Sequence, residues 1–183
     1  MTMPEIVVAP LALRATATVR LFLALWPGPR VRDRLLAWRD AWRWPANAAP
    51  VPADKLHLTL HFIGAVPQAR LPELRAGLSV GCEPFDLAFG RPELWPGGLA
   101  VLRPVKVPDA LMLLQQRLGG ALQALSMPVE ARAFRAHVTM ARRAHGAALP
   151  REGPALRWRV AGYALVESRP GAGNGYTVLQ RYR

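Results

Sequence analysis

The sequence contains little cysteine, little lysine and few acidic residues. Cys82 is the single cysteine among 183 residues, so the chain cannot form an internal disulfide or a metal site built from cysteines. A reducing, cytoplasmic setting is therefore expected. Lys55 and Lys106 are the only lysines, and arginine supplies nearly all of the positive charge.

Long apolar runs are also lacking. No stretch approaches the roughly 18 consecutive apolar residues of a membrane span, and we expect no membrane association. The N-terminal stretch MTMPEIVVAPLALRATATVRLFLALW has the composition of a signal peptide. However, Arg14 and Arg20 interrupt it, and Glu5 lies where a basic segment belongs. We interpret residues 1–17 as an N-terminal extension and residues 18–26 as the first strand.

Charge and hydropathy indicate a folded, basic protein. Lysine and arginine number 24 against 12 acidic residues, which gives a net charge of +12. Hydrophobic residues make up 51% of the chain, enough for a sizeable core. A small basic protein favours an anionic partner such as a nucleic acid or a nucleotide.

Hydrophobic periodicity predicts helices and strands within one domain. Helical spacing occurs over residues 31–42, 68–78 and 108–125, and strand patterns occupy 18–26, 55–64, 84–90, 98–105, 135–142, 155–168 and 175–183. In each half, a helix leads into a strand that contains His-x-Thr. We therefore predict an α+β fold, with residues 18–183 as a single bilobal domain. Two pseudo-symmetric lobes of antiparallel sheet, with outer helices, would surround a central cleft.

The functional hypothesis rests on two His-x-Thr segments, HLTL at 57–60 and HVTM at 137–140. Side chains alternate along a strand, so His57 shares a face with Thr59, and His137 shares a face with Thr139. The apolar residues between them face the core. If the two lobes face each other, one cleft holds two imidazoles and two hydroxyls.

This set of groups suits a reaction at phosphorus. A neutral imidazole can accept a proton from water while an imidazolium donates one to the leaving oxygen, and threonine hydroxyls can donate hydrogen bonds to phosphate oxygens. Two alternatives stay open. One is a zinc site in which His61 is the third ligand after the two motif histidines, because strict alternation puts it on the face of His57 and Thr59. The other is a non-catalytic module that binds RNA through its basic surface.

The chain resembles the two-histidine phosphoesterases, and within them the bacterial and archaeal RNA 2′,3′-cyclic phosphodiesterases, also called 2′-5′ RNA ligases. The matching segments are RLFLAL at 20–25, LHLTLHFIG at 56–64, RAFRAHVTMAR at 132–142 and YALVES…GYTVLQRY at 163–182. Proline often precedes the second histidine in that family, whereas this chain has Ala136.

The resemblance implies metal-independent hydrolysis of RNA 2′,3′-cyclic phosphate ends to 2′-phosphates, with ATP-independent 2′-5′ ligation as the reverse reaction. It implies His57 as the proton donor to the leaving 3′ oxygen and His137 as the base that activates water. Thr59 and Thr139 would bind the phosphate. No metal or other cofactor and no obligate protein partner is expected, and we predict a monomer. The alternative is a related phosphoesterase acting on 2′-5′ oligonucleotides or small cyclic phosphates.

The sequence predicts the arginines of the cleft less directly than the histidines and threonines. Arg142 closes the second matching segment, and the resemblance makes it a candidate phosphate-binding residue. Strict alternation from His137 instead puts Arg143 on the cleft face. A β-bulge or a strand end near Ala141 would reconcile the two. Trp95, beside a Gly/Pro-rich turn, is a further candidate to line the cleft.

Overall fold

The computed structural model describes residues 17–169 and 175–183. This part of the chain contains α1 (Pro29–Asp40), α2 (Leu71–Gly77) and α3 (Asp109–Ala124), and the strands β1 (Thr18–Leu25), β2 (Ala49–Pro50), β3 (Leu58–Pro67), β4 (Phe85–Trp95), β5 (Leu99–Pro104), β6 (Val138–Arg142), β7 (Leu156–Val160), β8 (Tyr163–Arg169) and β9 (Gly175–Tyr182). The predicted extension, apart from Ala17, lies outside the described residues.

All nine strands belong to one antiparallel sheet. Its order is β7-β4-β5-β6-β3-β1-β8-β9, and β2 pairs with β6. The two His-x-Thr strands, β3 and β6, therefore lie side by side at the centre. Three further strands extend outward from each of them. The predicted α+β class is confirmed, and the two predicted lobes are two four-stranded halves that β3 and β6 join into one sheet.

Alternation along the strands gives the sheet two different faces. On β1, Leu21 and Leu23 are buried in the main core, whereas Phe22 and Ala24 belong to a separate small cluster on the opposite side. We call these sides the helix face and the cleft face, because all three helices contribute to the main core. A small cluster of Phe22, Ala24, Ala164 and Val166, with Trp26, Tyr176 and Val178 against it, covers part of the cleft face.

The helices connect the two halves of the sheet. Helix α1 leads into β3 but packs against β7, in the other half, and α3 leads into β6 but packs against β3. Sequence propensity predicts a weak point in α3 at Gly119-Gly120, yet the helix continues through this pair. Gly119 lies against His61, and an added Cβ would lie 3.5 Å from the His61 ring, an ordinary van der Waals contact.

Two boundaries differ from the predicted ones. Strand β4 runs on to Trp95, beyond the predicted end at residue 90, and the single strand predicted over 155–168 is two strands. The chain leaves β7 at Ala161-Gly162 and enters β8 in the other half of the sheet. An added Cβ at Gly162 would collide with the carbonyl oxygen of Tyr182, so glycine permits the close approach that this crossing requires.

Among the described residues, no helix has both the length and the apolar character needed to cross a bilayer.

Two glycine-to-alanine changes test these packing arguments. Gly162→Ala should lower the free energy of unfolding by about 1–3 kcal/mol, because the backbone at Tyr182 must move. Gly120→Ala is the matched control. Its added Cβ meets no atom within 4 Å, and alanine in a helix interior should raise the free energy of unfolding by about 0.5–1 kcal/mol. Urea denaturation measures both, and equal effects of the two changes would contradict the account.

Candidate active site

One bridge between the central strands organises the site. Leu58 of β3 pairs with Val138 of β6, and both side chains are fully buried on the helix face. Past this bridge β3 pairs only with β1, and β2 takes the place beside Ala141 and Arg142 on β6. The two halves of the sheet therefore share this one bridge between β3 and β6 and separate beyond it.

The residues on either side of the bridge are the four predicted site residues. In an antiparallel pair with this register, His57 lies opposite Thr139 and Thr59 lies opposite His137. All four are half-buried, and they share the cleft face because Leu58 faces the core. The structure thus brings together the two imidazoles and two hydroxyls that the sequence pattern singled out.

Both imidazoles are held in the same way. Nδ1 of His57 lies 2.6 Å from the carbonyl oxygen of Lys55, and Nδ1 of His137 lies 2.6 Å from the carbonyl oxygen of Arg135. A carbonyl only accepts hydrogen bonds, so Nδ1 carries the proton in each ring. Nε2 of each neutral imidazole is therefore left as the acceptor atom, and it is the atom available for proton transfer.

The Thr59 hydroxyl forms a hydrogen bond with the reactive nitrogen of the His57 ring. Its Oγ1 lies 3.0 Å from Nε2 of His57. Because Nδ1 of that ring holds the proton, the threonine hydroxyl donates to Nε2. A ligand that attracts the hydroxyl would release this nitrogen at the same time.

A β-bulge follows each His-x-Thr segment. Ala24 pairs with Thr59 and Leu23 with His61, so Leu60 is an extra residue on β3. Likewise Val101 pairs with Thr139 and Ala100 with Ala141, so Met140 is an extra residue on β6. A bulge of this kind shifts the alternation of side chains by one position.

The bulge on β3 overturns the prediction that His61 continues the face of His57 and Thr59. His61 is only 5% exposed on the helix face, and its Nε2 donates a hydrogen bond to the carbonyl oxygen of Gln115, at 2.8 Å. The zinc site with His61 as its third ligand is therefore not formed. No group of three or more potential metal ligands occurs within the described ranges.

The bulges also return the next residue of each strand to the cleft face. Phe62 is 60% exposed, and its ring centroid lies 6.4 Å from that of Phe22 on the cleft side. Its counterpart on β6 is Arg142, which is also exposed. Arg142 is close enough for its charge to lower the pKa of both His57 and His137. Arg143 lies past the end of β6 in a left-handed conformation, with φ of 53°.

Aromatic side chains surround His57. Trp26 stacks on its imidazole with ring centroids 5.5 Å apart, and Phe22 and Tyr176 lie at 5.0 and 5.4 Å. Burial among these rings lowers the pKa of His57 to about 4. The hydrogen bond to the Lys55 carbonyl opposes that shift, and the charges of His137 and Arg142 add to it. His57 is therefore neutral in the free protein at pH 7.

Charged side chains surround His137 instead. Trp95 lies 4.7 Å from its ring, and the guanidinium of Arg135 covers the indole at 3.9 Å. Glu93 accepts hydrogen bonds from the Trp95 indole and from Arg103. Burial lowers the pKa of His137, and three neighbouring arginines, Arg135, Arg103 and Arg142, lower it further.

Sequence reasoning missed two members of this surrounding shell. Trp26 continues the cleft-face alternation of Phe22 and Ala24 by one step beyond the end of β1, and that alternation could have identified it. No pattern in the neighbouring sequence could have identified Glu93. It lies beside Val101, which lies beside Thr139, and only the order of the strands brings these residues together.

Comparison with known proteins places the chain among phosphoesterases. The profile of the family described as LigT-like phosphoesterase matches residues 25–106. An RNA 2′,3′-cyclic phosphodiesterase of Thermus thermophilus is 32% identical over 181 residues, which cover 90% of this chain and 89% of that protein. The RNA 2′,3′-cyclic phosphodiesterase of Escherichia coli is 43% identical over 47 residues, which cover 26% of this chain and 27% of that protein.

Solved structures show the same fold. The crystal structure of E. coli LigT complexed with 3′-AMP superposes with a TM-score of 0.81 at 27% identity, over 90% of this chain and 97% of that one. The T. thermophilus protein TT0787 superposes with a TM-score of 0.70 at 28% identity, over 88% of this chain and 96% of that one.

Acid should destabilise the protein partly through His57. Its folded pKa of about 4 lies below the ordinary value of 6.5, so the unfolded chain takes up the proton first as pH falls. This contribution is complete above pH 6.5 and is lost as pH falls towards 4. It should be about 2–3 kcal/mol between pH 7 and pH 4.5.

Urea denaturation of the wild type and of His57→Gln at both pH values isolates this contribution, because glutamine does not titrate. The wild type should lose more stability on acidification than the variant. An equal loss in the two proteins would contradict the assignment of a half-buried, neutral His57.

Proposed function

The chain belongs to the LigT-like phosphoesterase family, and from that premise we propose that it is a metal-independent RNA 2′,3′-cyclic phosphodiesterase. The observation that carries the proposal is the matched pair of imidazoles, each tied through Nδ1 and each with Nε2 left for proton transfer. The T. thermophilus relative of that name, similar over 90% of this chain, supports the same activity.

The two histidines would act as base and acid in an in-line displacement. Nε2 of His137 accepts a proton from water as the water oxygen attacks phosphorus. The bond between phosphorus and the 3′ oxygen breaks, and Nε2 of protonated His57 donates a proton to that oxygen. The product is a 2′-phosphate with a free 3′-hydroxyl, and each histidine ends in the other's starting protonation state until solvent restores them.

Thr59, Thr139 and Arg142 would hold the phosphate during this step. The Thr59 hydroxyl can turn from Nε2 of His57 to a phosphate oxygen, which frees that nitrogen for protonation. The Arg142 guanidinium supplies a full positive charge and paired donors. These groups would stabilise the charge that develops on the phosphate oxygens in the transition state.

The anionic substrate also resolves an apparent conflict in protonation. His57, the proposed acid, has a pKa of about 4 in the free protein, so it carries no proton at pH 7. A phosphate beside the ring favours the imidazolium and raises this pKa on binding. The acid would therefore form in the complex with substrate.

The substrate class follows from charge and from the similar structures. A net charge of +12 favours a polyanion, and E. coli LigT has been crystallised with the nucleotide 3′-AMP. We therefore propose RNA ending in a 2′,3′-cyclic phosphate as substrate. Joining a 5′-hydroxyl to that end would be the reverse reaction, giving a 2′-5′ linkage without ATP. A cytoplasmic location and a monomeric state stay predictions.

Removal of either histidine should slow turnover strongly. His57→Ala and His137→Ala should each lower kcat for a 2′,3′-cyclic nucleotide by roughly 10²–10⁴-fold, because each removes one proton-transfer group. His145→Ala is the matched control, since His145 lies exposed in a loop, and it should retain full activity. Circular dichroism checks that all three variants fold.

Near-normal rates in both variants would contradict the proposal. Salt-sensitive RNA binding without turnover in the wild type would instead favour the non-catalytic module. Activity should persist in EDTA, and a requirement for added zinc would contradict metal independence.

The pH dependence of kcat/KM should be a bell with its maximum below pH 6.5. Reaction needs neutral His137 and protonated His57, and the product of these fractions is greatest midway between the two pKa values. Both pKa values lie below 6.5 in the free protein. The pH optimum of kcat should lie higher, because bound phosphate raises both pKa values. A kcat/KM maximum well above neutral pH would contradict this protonation scheme.

A further inference from the structure

A basic pocket lies where the two ends of the sheet approach each other. Its walls include Arg159 of β7, Arg181 and Arg183 at the end of β9, and Trp26, and its volume is about 250 Å³. Strands β7 and β9 are the first and last in the sheet order. Because both strands contribute residues to one pocket, the sheet must curl until its two edge strands border the same space. We call this space the edge pocket.

Arg181 lies on the same face of the sheet as the candidate active site. Thr59 pairs with Ala24, Ala24 pairs with Ala164, and Ala164 pairs with Arg181. Paired residues on neighbouring strands share a face, and neighbouring strands lie about 4.8 Å apart. Three strand steps, roughly 14 Å along the sheet, therefore separate the backbones of Thr59 and Arg181.

Trp26 connects the edge pocket to His57. The indole stacks on the imidazole, with 17° between the ring planes, and it also lines the pocket. Trp26 therefore lies between His57 and the pocket that contains Arg181, and an aromatic ring there suits the stacking of an unpaired base.

The charges in the edge pocket suit a phosphate. Arg159 shares its charge with Asp86, whose carboxylate lies 3.0 Å away. No carboxylate within residues 17–169 and 175–183 forms an ion pair with Arg181. Its guanidinium can therefore pair with a phosphate without first breaking an ion pair.

The chemistry of the proposed reaction decides which side of the site the RNA occupies. In-line displacement places the attacking water and the leaving 3′ oxygen on opposite sides of phosphorus. The leaving oxygen stays attached to the terminal ribose, and His57 protonates it. The ribose and the RNA attached to it therefore extend on the His57 side, where the edge pocket lies, and the His137 side stays open to water.

We propose that the edge pocket, through Arg181, binds a backbone phosphate on the 5′ side of the nucleotide that carries the cyclic phosphate. The inference rests on the proposed function and adds a preference to it. RNA ends should be hydrolysed with higher kcat/KM than free nucleoside cyclic phosphates, which carry no upstream phosphate.

Two substrates test the inference. They are adenosine 2′,3′-cyclic phosphate and a tetranucleotide that ends in the same group. The wild type should have the higher kcat/KM on the tetranucleotide. The ratio of the two values should fall roughly three-fold in Arg181→Gln and roughly ten-fold in Arg181→Glu, the size expected for a partly exposed charge contact. For the tetranucleotide, the slope of log(kcat/KM) against the logarithm of the salt concentration should become shallower by about one unit in Arg181→Gln.

Two arginine variants serve as controls that remove the same charge. Arg20 lies on the cleft face at the opposite end of β1, and Arg117 lies on α3. Arg20→Gln and Arg117→Gln should leave the substrate ratio unchanged. A fall of the ratio in Arg20→Gln in place of Arg181→Gln would mean that RNA runs along β1 instead, and it would overturn the proposal.

The remaining outcomes separate the two proposals. If the wild type hydrolyses both substrates and Arg181→Glu leaves their ratio unchanged, the edge-pocket inference fails and the phosphodiesterase function stands. An equal loss on both substrates in Arg181→Glu also overturns the inference. If the wild type hydrolyses neither substrate, the proposed function fails and the inference fails with it.

Discussion

The hydrogen bond from Nδ1 of each cleft imidazole to a main-chain carbonyl is the constraint on which the site depends. Lys55 and Arg135 supply these carbonyls from the chain just before β3 and β6. Each bond fixes the tautomer and the orientation of a ring at once, so both Nε2 atoms become available on one face of the sheet. Because the acceptors belong to the backbone, the arrangement needs no carboxylate partner, which suits a site that must bind a phosphate.

The paired bulges give this geometry its asymmetry. Leu60 of β3 and Met140 of β6 are extra residues at corresponding positions, so the two halves of the site resemble each other even in their bulges. The residues that the bulges return to the cleft face differ, because one is Phe62 and the other is Arg142. One half of the sheet therefore surrounds its histidine with aromatic rings, and the other surrounds its histidine with arginines. This difference would divide the substrate into a ribose side and a phosphate and water side.

Sequence alone could predict what depends on local alternation. The strand pattern correctly paired His57 with Thr59 and His137 with Thr139, and the recurring order of elements indicated two related halves. It failed at His61, because Leu60 looks like any apolar strand residue and nothing local marks it as a bulge. Sequence also could not predict the position of Glu93 near His137 or the edge pocket. Both depend on strand order and on the curl of the sheet, which arise from contacts between distant segments.

The identity of the product tests the central claim most directly. RNA that ends in a 2′,3′-cyclic phosphate is incubated with the protein in water enriched in heavy oxygen, and the product is analysed by phosphorus NMR and mass spectrometry. The account predicts a 2′-phosphate that contains one solvent oxygen, with a free 3′-hydroxyl, because His57 protonates the 3′ oxygen. A 3′-phosphate, or a mixture of both isomers, would contradict the assignment of His57 and His137 as a directed acid–base pair.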